Sequence, residues 1–179
     1  MSLPKLIELS QADFVTIDTI GPPGQRIFYL QAAQGDTLVT VVIEKEHAAA
    51  LSVAIRGLLE QLTEDEAETA EERELINLDL IRPVEPLFRA GRLGLGYDET
   101  EDKLVIMVEE LTEEEEEEGT RVHIWGSRDL MAALAHKAAF VVASGRPLCP
   151  LCAEPIEPGE EHVCVRGNGR KHIFKPDED

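Results

Sequence analysis

The chain has 179 residues, 43% of them apolar, and sets 36 acidic against 17 basic residues for a formal charge of −19. That length and apolar share suit one compact domain, or a domain with a small appendage, and exclude wholesale disorder. A balance this acidic argues against a broad duplex-binding face and against attraction to an anionic membrane, and no apolar run reaches the roughly 18 residues of a spanning helix.

The first periodic segment covers residues 14–20, where Phe14, Val15, Thr16, Ile17 and Thr19 are β-formers. It stops at Gly21-Pro22-Pro23-Gly24, a strong turn signal. Residues 26–32 alternate, with Phe28, Leu30 and Ala32 on one face and Ile27, Tyr29 and Gln31 on the other. Gln34-Gly35-Asp36 reads as a hairpin loop. Residues 37–43 are apolar on both faces, which predicts a central strand and a three-strand meander.

From Glu46 the period is helical: Leu51, Ile55, Leu58, Leu59 and Leu62 share a stripe, while Glu46, Ser52, Arg56 and Glu60 lie largely off it. This helix is expected to lie across one sheet face. Residues 64–74 are dominated by carboxylates and read as a solvated linker or a frayed helix extension.

A second unit repeats the plan. Residues 87–97 look extended, with Gly91, Gly94 and Gly96 marking bulges or a close backbone approach. After a turn at residues 98–102, residues 103–109 place Leu104, Ile106 and Val108 on one side of another strand. Residues 113–118 are six glutamates, whose self-repulsion predicts a mobile, protruding tip. Residues 121–125 return as a strand, Ser127 suits an N-cap, and Leu130, Leu134, Ala138 and Val141 form a helical stripe ended by Gly145 and Pro147.

The fold class expected is α+β: antiparallel β-sheet(s) with two packed helices in a β-β-β-α, β-β-β-α order, plus a C-terminal zinc knuckle. The α+β domain spans residues 1–146, with a duplication suspected at about 1–64 and 84–146, and the appendage spans 147–179.

The appendage carries Cys149-Pro150-Leu151-Cys152, then nine residues, then His162-Val163-Cys164. Two cysteines at this spacing form a tight turn whose backbone amides point at the sulfurs, a geometry that holds Zn²⁺. His162 and Cys164, two residues apart, project to one side of an extended segment. Cys149, Cys152, His162 and Cys164 would close a tetrahedral site with no position for a water nucleophile, hence a structural one. His172 is the alternative fourth ligand. A redox Cys-x-x-Cys is expected at the start of a helix, whereas this pair follows a helix and a proline. Three ordinary thiols remain the plain alternative.

Those residues, with Gly145-Arg146-Pro147 before them, resemble the C-terminal signature of the DUF3090 family, an uncharacterised bacterial family. So do Gly21-Pro22-Pro23-Gly24-Gln25-Arg26 running into Phe28-Tyr29-Leu30-Gln31-Ala32, Glu44-Lys45, Phe88-Arg89-Ala90-Gly91 and Leu95-Gly96-Tyr97-Asp98. The glutamate run departs from the family pattern, and Ala153 stands where the family tends to have glycine. The resemblance implies no reaction.

Gln25, Arg26, Glu44, Lys45 and Arg89 are the candidate binding residues for a small anionic (phosphorylated) ligand, since an arginine after a glycine-rich turn can grip a phosphate or carboxylate bidentately. Turn geometry and a helix dipole account for the same residues without any ligand. Gly91, Gly94 and Gly96 do not make a dinucleotide fingerprint, because the glycine order is wrong and a strand follows. His123, His136 and Trp125 read as structural or rim residues.

The leading functional expectation is a cytoplasmic, non-catalytic interaction or adaptor protein with structural Zn²⁺ and a protein partner, without membrane insertion. An enzyme or sensor for an anionic ligand is the alternative. Nucleic-acid association through Arg166, Arg170, Lys171 and Lys175 is a third reading, disfavoured by the overall charge.

Overall fold

Strand-forming runs and two amphipathic stretches settle into nine strands and two helices among the described residues, which are 5–62, 78–114, 117–145, 149, 151, 152, 154, 162–164, 166, 171 and 172 of a computed structural model. In chain order they are β1 (Leu6–Leu9), β2 (Phe14–Ile20), β3 (Ile27–Gln34), β4 (Thr37–Ile43), α1 (Lys45–Leu62), β5 (Ala90–Asp98), β6 (Lys103–Glu110), β7 (Arg121–Gly126), α2 (Arg128–Ala143), β8 (His162–Val163) and β9 (Lys171–His172). Two compact units result: Met1–Ile20 with Ile27–Ala143, and Gly21–Arg26 with Ser144–Asp179.

The first unit is α+β. β2, β3 and β4 form the expected antiparallel meander, and a four-stranded sheet runs β1-β7-β6-β5. Val15, Ile17, Leu30, Val41 and Ile43 from the meander join Leu104, Ile106, Val108, Val122 and Ile124 from the larger sheet in one buried cluster. Met131, Leu134, Ala138, Val141, Leu51 and Ile55 complete it from the helices, which pack on each other. Ser127 caps α2: its hydroxyl accepts the Leu130 N–H at 3.2 Å.

Five expectations need correction. The order is β-β-β-β-α, then β-β-β-α, because β1 precedes the meander. It pairs parallel with β7, from Leu6↔Arg121 to Leu9↔Ile124, so the larger sheet is not purely antiparallel. Four residues are too few to display a period, and the strand they pair with comes more than a hundred positions later. β4 is an edge strand of its sheet, not a central one. Its outer edge is covered by residues 87–89: the Leu87 N–H donates to the Thr40 carbonyl at 2.8 Å and the Val42 N–H to the Phe88 carbonyl at 3.0 Å.

Ser52 is buried rather than off the stripe, because α1 meets a second helix beside its apolar face; its hydroxyl donates to the Ala135 carbonyl at 2.8 Å. Finally, residues 87–89 precede β5 instead of extending it. Gly91 does mark a bulge, where the β5–β6 register shifts between Ala90 and Arg92. The acidic stretch at 64–74 lies outside the described residues.

A polar row crosses the face of the meander opposite its apolar one. Thr16, Gln31 and Thr40 share register and are all buried. The Gln31 amide donates to Thr40 Oγ1 and to the Ile81 carbonyl, each at 3.0 Å, and accepts the Ile81 N–H at 2.7 Å. The Thr16 hydroxyl donates to the Leu78 carbonyl. Side chains thus give residues 78–81 the pairing a neighbouring strand would supply, which is how burial of three polar residues is tolerated.

At the far end of the larger sheet, Tyr97, Asp102 and Arg128 clasp the β5–β6 turn to the start of α2. Asp102, at φ 51°, accepts the Tyr97 hydroxyl and Arg128 Nε, each at 2.6 Å. Arg128 also reaches the carbonyl of Leu62 at the end of α1, at 3.2 Å.

Candidate metal centre

Three thiols converge in the second unit. The sulfurs of Cys149, Cys152 and Cys164 lie within 4.8 Å of one another, and none is in a disulfide. Cys149 and Cys164 are buried and Cys152 is half-buried against them. Chain reversal at Leu151 and Cys152 is closed by the Cys149 N–H, which donates to the Glu154 carbonyl at 2.9 Å.

The reversal aims backbone amides at sulfur. N–H groups of Cys152 and Leu151 stabilise the Cys149 thiolate and lower its pKa to about 6, against the opposing effect of burial. The Glu154 N–H favours the Cys152 thiolate too, yet burial and the neighbouring Cys149 and Cys164 sulfurs push its pKa upward. Crowded sulfurs cannot all ionise without a cation between them. Protein-held Zn²⁺ with Zn–S near 2.3 Å sets tetrahedral sulfurs about 3.8 Å apart, so the donor set fits a soft divalent metal.

The backbone of β8 and β9 forms a short hairpin in which His162 and His172 are register partners. The side chains of both, the two sequence candidates for a fourth ligand, lie outside the described residues, as do Arg170, Lys171 and Lys175 as side chains.

The other singled-out residues divide between the units. Glu44, Lys45 and Arg89 belong to the first, at the β4–α1 junction and just before β5. Arg89 donates to Glu44 Oε1 from its Nε at 2.9 Å and a terminal nitrogen at 2.6 Å, and both side chains are about half exposed. An anion there would compete with a carboxylate already in place. Lys45 is exposed at the start of α1, and the Glu44 N–H is capped by His47 Nδ1 at 3.2 Å. Gln25 and Arg26 fall in the second unit, Gln25 exposed and Arg26 half-buried.

Trp125 sits at a rim, its indole N–H donating to Glu8 at 3.1 Å. An open groove of about 630 Å³ near the glutamate run is lined by four glutamates and two arginines, among them Arg92, Glu109, Glu117 and Arg121. The Tyr97–Asp102–Arg128 clasp and the Gln31 row were missed from the sequence, since the partners that close them, Arg128 on Asp102, Ile81 on Gln31 and Leu78 on Thr16, are 26 to 62 positions away. Among the described residues no helix is long and apolar enough to cross a membrane.

Residues 7–164 match the family described as Protein of unknown function (DUF3090), and the chain belongs to that family. No curated protein matches the chain, and no solved structure does.

Proposed function

We propose that this DUF3090 member is a metal-stapled interaction protein of a reducing compartment, in which Cys149, Cys152 and Cys164, with His162 as fourth ligand, hold one structural Zn²⁺. The single observation carrying this reading is the convergence of three sulfurs within 4.8 Å, two of them buried, without a disulfide. Bound metal would supply charge neutralisation and cross-linking to a segment with little apolar material of its own. Four protein ligands leave no coordination position for water, so the ion staples and does not hydrolyse. His172, the backbone register partner of His162, is the alternative fourth ligand.

On this reading the second unit is a presentation surface for a protein partner. Its support is chemical: Leu151 and Val163 are half exposed beside the sulfur cluster, which suits contact with another chain better than catalysis. The acidic balance disfavours nucleic acid as that partner.

Elemental analysis of native protein, paired with thiol titration, tests the metal. Close to one zinc per chain, with all three thiols blocked until denaturation, is the expected result. Absent metal with reactive thiols would overturn it and put a redox role for Cys149 and Cys152 first.

A further inference from the structure

We infer that the sulfur cluster and the β2–β3 turn, Gly21–Arg26, form one cooperative unit, so that metal occupancy holds that turn in shape. This rests on the metal reading above and goes beyond it, because it assigns the metal a site of action outside the cysteine segment.

Three observations converge. The turn belongs to the compact unit that contains Ser144–Asp179, not to the one containing its own flanking strands. Among the described residues of that unit, the buried ones are Cys149 and Cys164, with Cys152 packed on them. Sulfur is the buried centre among the described residues of the unit that the turn joins. The turn itself has thin local support. The β2–β3 ladder ends at Ile20↔Ile27, Pro22 and Pro23 offer no N–H, and the backbone bond within the turn is from the Gln25 N–H to the Pro22 carbonyl at 3.0 Å. Gly21 and Gly24 hold φ of 113° and 87°, and the residues from Gly21 to Gln25 are exposed while Arg26 is half-buried.

A segment so weakly held by its own hairpin takes its order from the unit it joins. Gln25 and Arg26, candidate ligand contacts in sequence, would then be presented in their folded arrangement by metal-loaded protein and released when metal leaves. Coupling of this kind is reciprocal: what metal does to the turn, strain in the turn must do to metal affinity.

Two positive-φ glycines make the test internal. A Cβ at Gly21 would lie 2.7 Å from the Gln25 carbonyl oxygen, whereas one at Gly35, at φ 56° in the β3–β4 turn of the first unit, meets nothing within 4 Å. Full-length wild type, Gly21→Ala and Gly35→Ala are loaded with Zn²⁺ and competed against a chromophoric chelator. Gly21→Ala is expected to lose about tenfold or more in zinc affinity, and Gly35→Ala to stay within about twofold of wild type. In wild type, stripping zinc is expected to speed exchange of the Gln25 amide by about tenfold or more and to leave β3 and β4 amides unchanged.

Stoichiometric zinc with an unchanged Gln25 amide, or equal affinities in the two glycine variants, would overturn the coupling while the metal reading stands. Failure of wild type to take up zinc would overturn both. If Gly21→Ala does not fold, the wild-type exchange experiment decides alone.

Discussion

Replacing Gln31 with leucine tests whether residues 78–81 are held by side chains acting as a surrogate strand. The substitution keeps nearly the same volume, so the cavity contribution stays small and the loss is polar. Three hydrogen bonds disappear: to Thr40 Oγ1, to the Ile81 carbonyl and from the Ile81 N–H. Thr40 is buried but can turn its hydroxyl elsewhere, so its share is minor. Ile81 is 42% exposed, which lets its two backbone groups regain some water and keeps their cost toward the low end for orphaned groups. About 1 kcal/mol for each backbone group, with a few tenths for Thr40, gives a destabilisation of about 2–3 kcal/mol. For a chain of this length that corresponds to a fall in melting temperature of about 4–12 °C. Urea unfolding should show a lower midpoint at unchanged slope, and exchange of the Ile81 amide should accelerate well beyond that of β3 amides. A loss below about 0.5 kcal/mol, the range of ordinary surface changes, would refute the reasoning. So would an Ile81 amide as protected as before.

Further outcomes follow from other contacts. Cys149→Ser should release the metal and expose the C-terminal segment to protease while β2–β7 and both helices stay folded; a tail equally resistant without metal would remove the structural role of the site. Asp102→Asn, which tolerates the positive φ, should be less stable than wild type at pH 7. Hydrogen bonds from Tyr97 and Arg128 hold the Asp102 carboxyl below its ordinary range. A depressed folded-state pKa adds stability above the unfolded value, near 4, and loses it as pH falls through the folded value. The gap between variant and wild type should therefore close below about pH 4, and a pH-independent gap in chemical denaturation would contradict the clasp. Ser52→Ala should cost about 1 kcal/mol through the lost bond to the Ala135 carbonyl at the α1–α2 contact, read by urea unfolding. Deleting residues 113–118 should move the melting temperature by less than about 2 °C, because the described glutamates there are exposed; a large drop would show that the run docks on something.

Legibility followed the range of the interactions. Strand and helix periods, the Gly35 hairpin, the Gly91 bulge and the Ser127 cap are all decided within a few residues, and each was readable. Cys149 and Cys152 were readable as a pair because a tight turn makes their spacing a local fact, and Cys164 as their companion from its nearness in sequence, as was membership of the DUF3090 family from its motifs. What local pattern could not carry was pairing at a distance. β1 against β7, residues 87–89 on the edge of β4, Ser52 beneath α2 and Gln31 beneath Ile81 each depend on which segments the fold brings side by side. Period reports which face of an element is apolar; it is silent on what arrives to cover the other face. A serine or glutamine looks solvent-facing until a partner carbonyl is set within 3 Å of it, and only the closed tertiary structure does that.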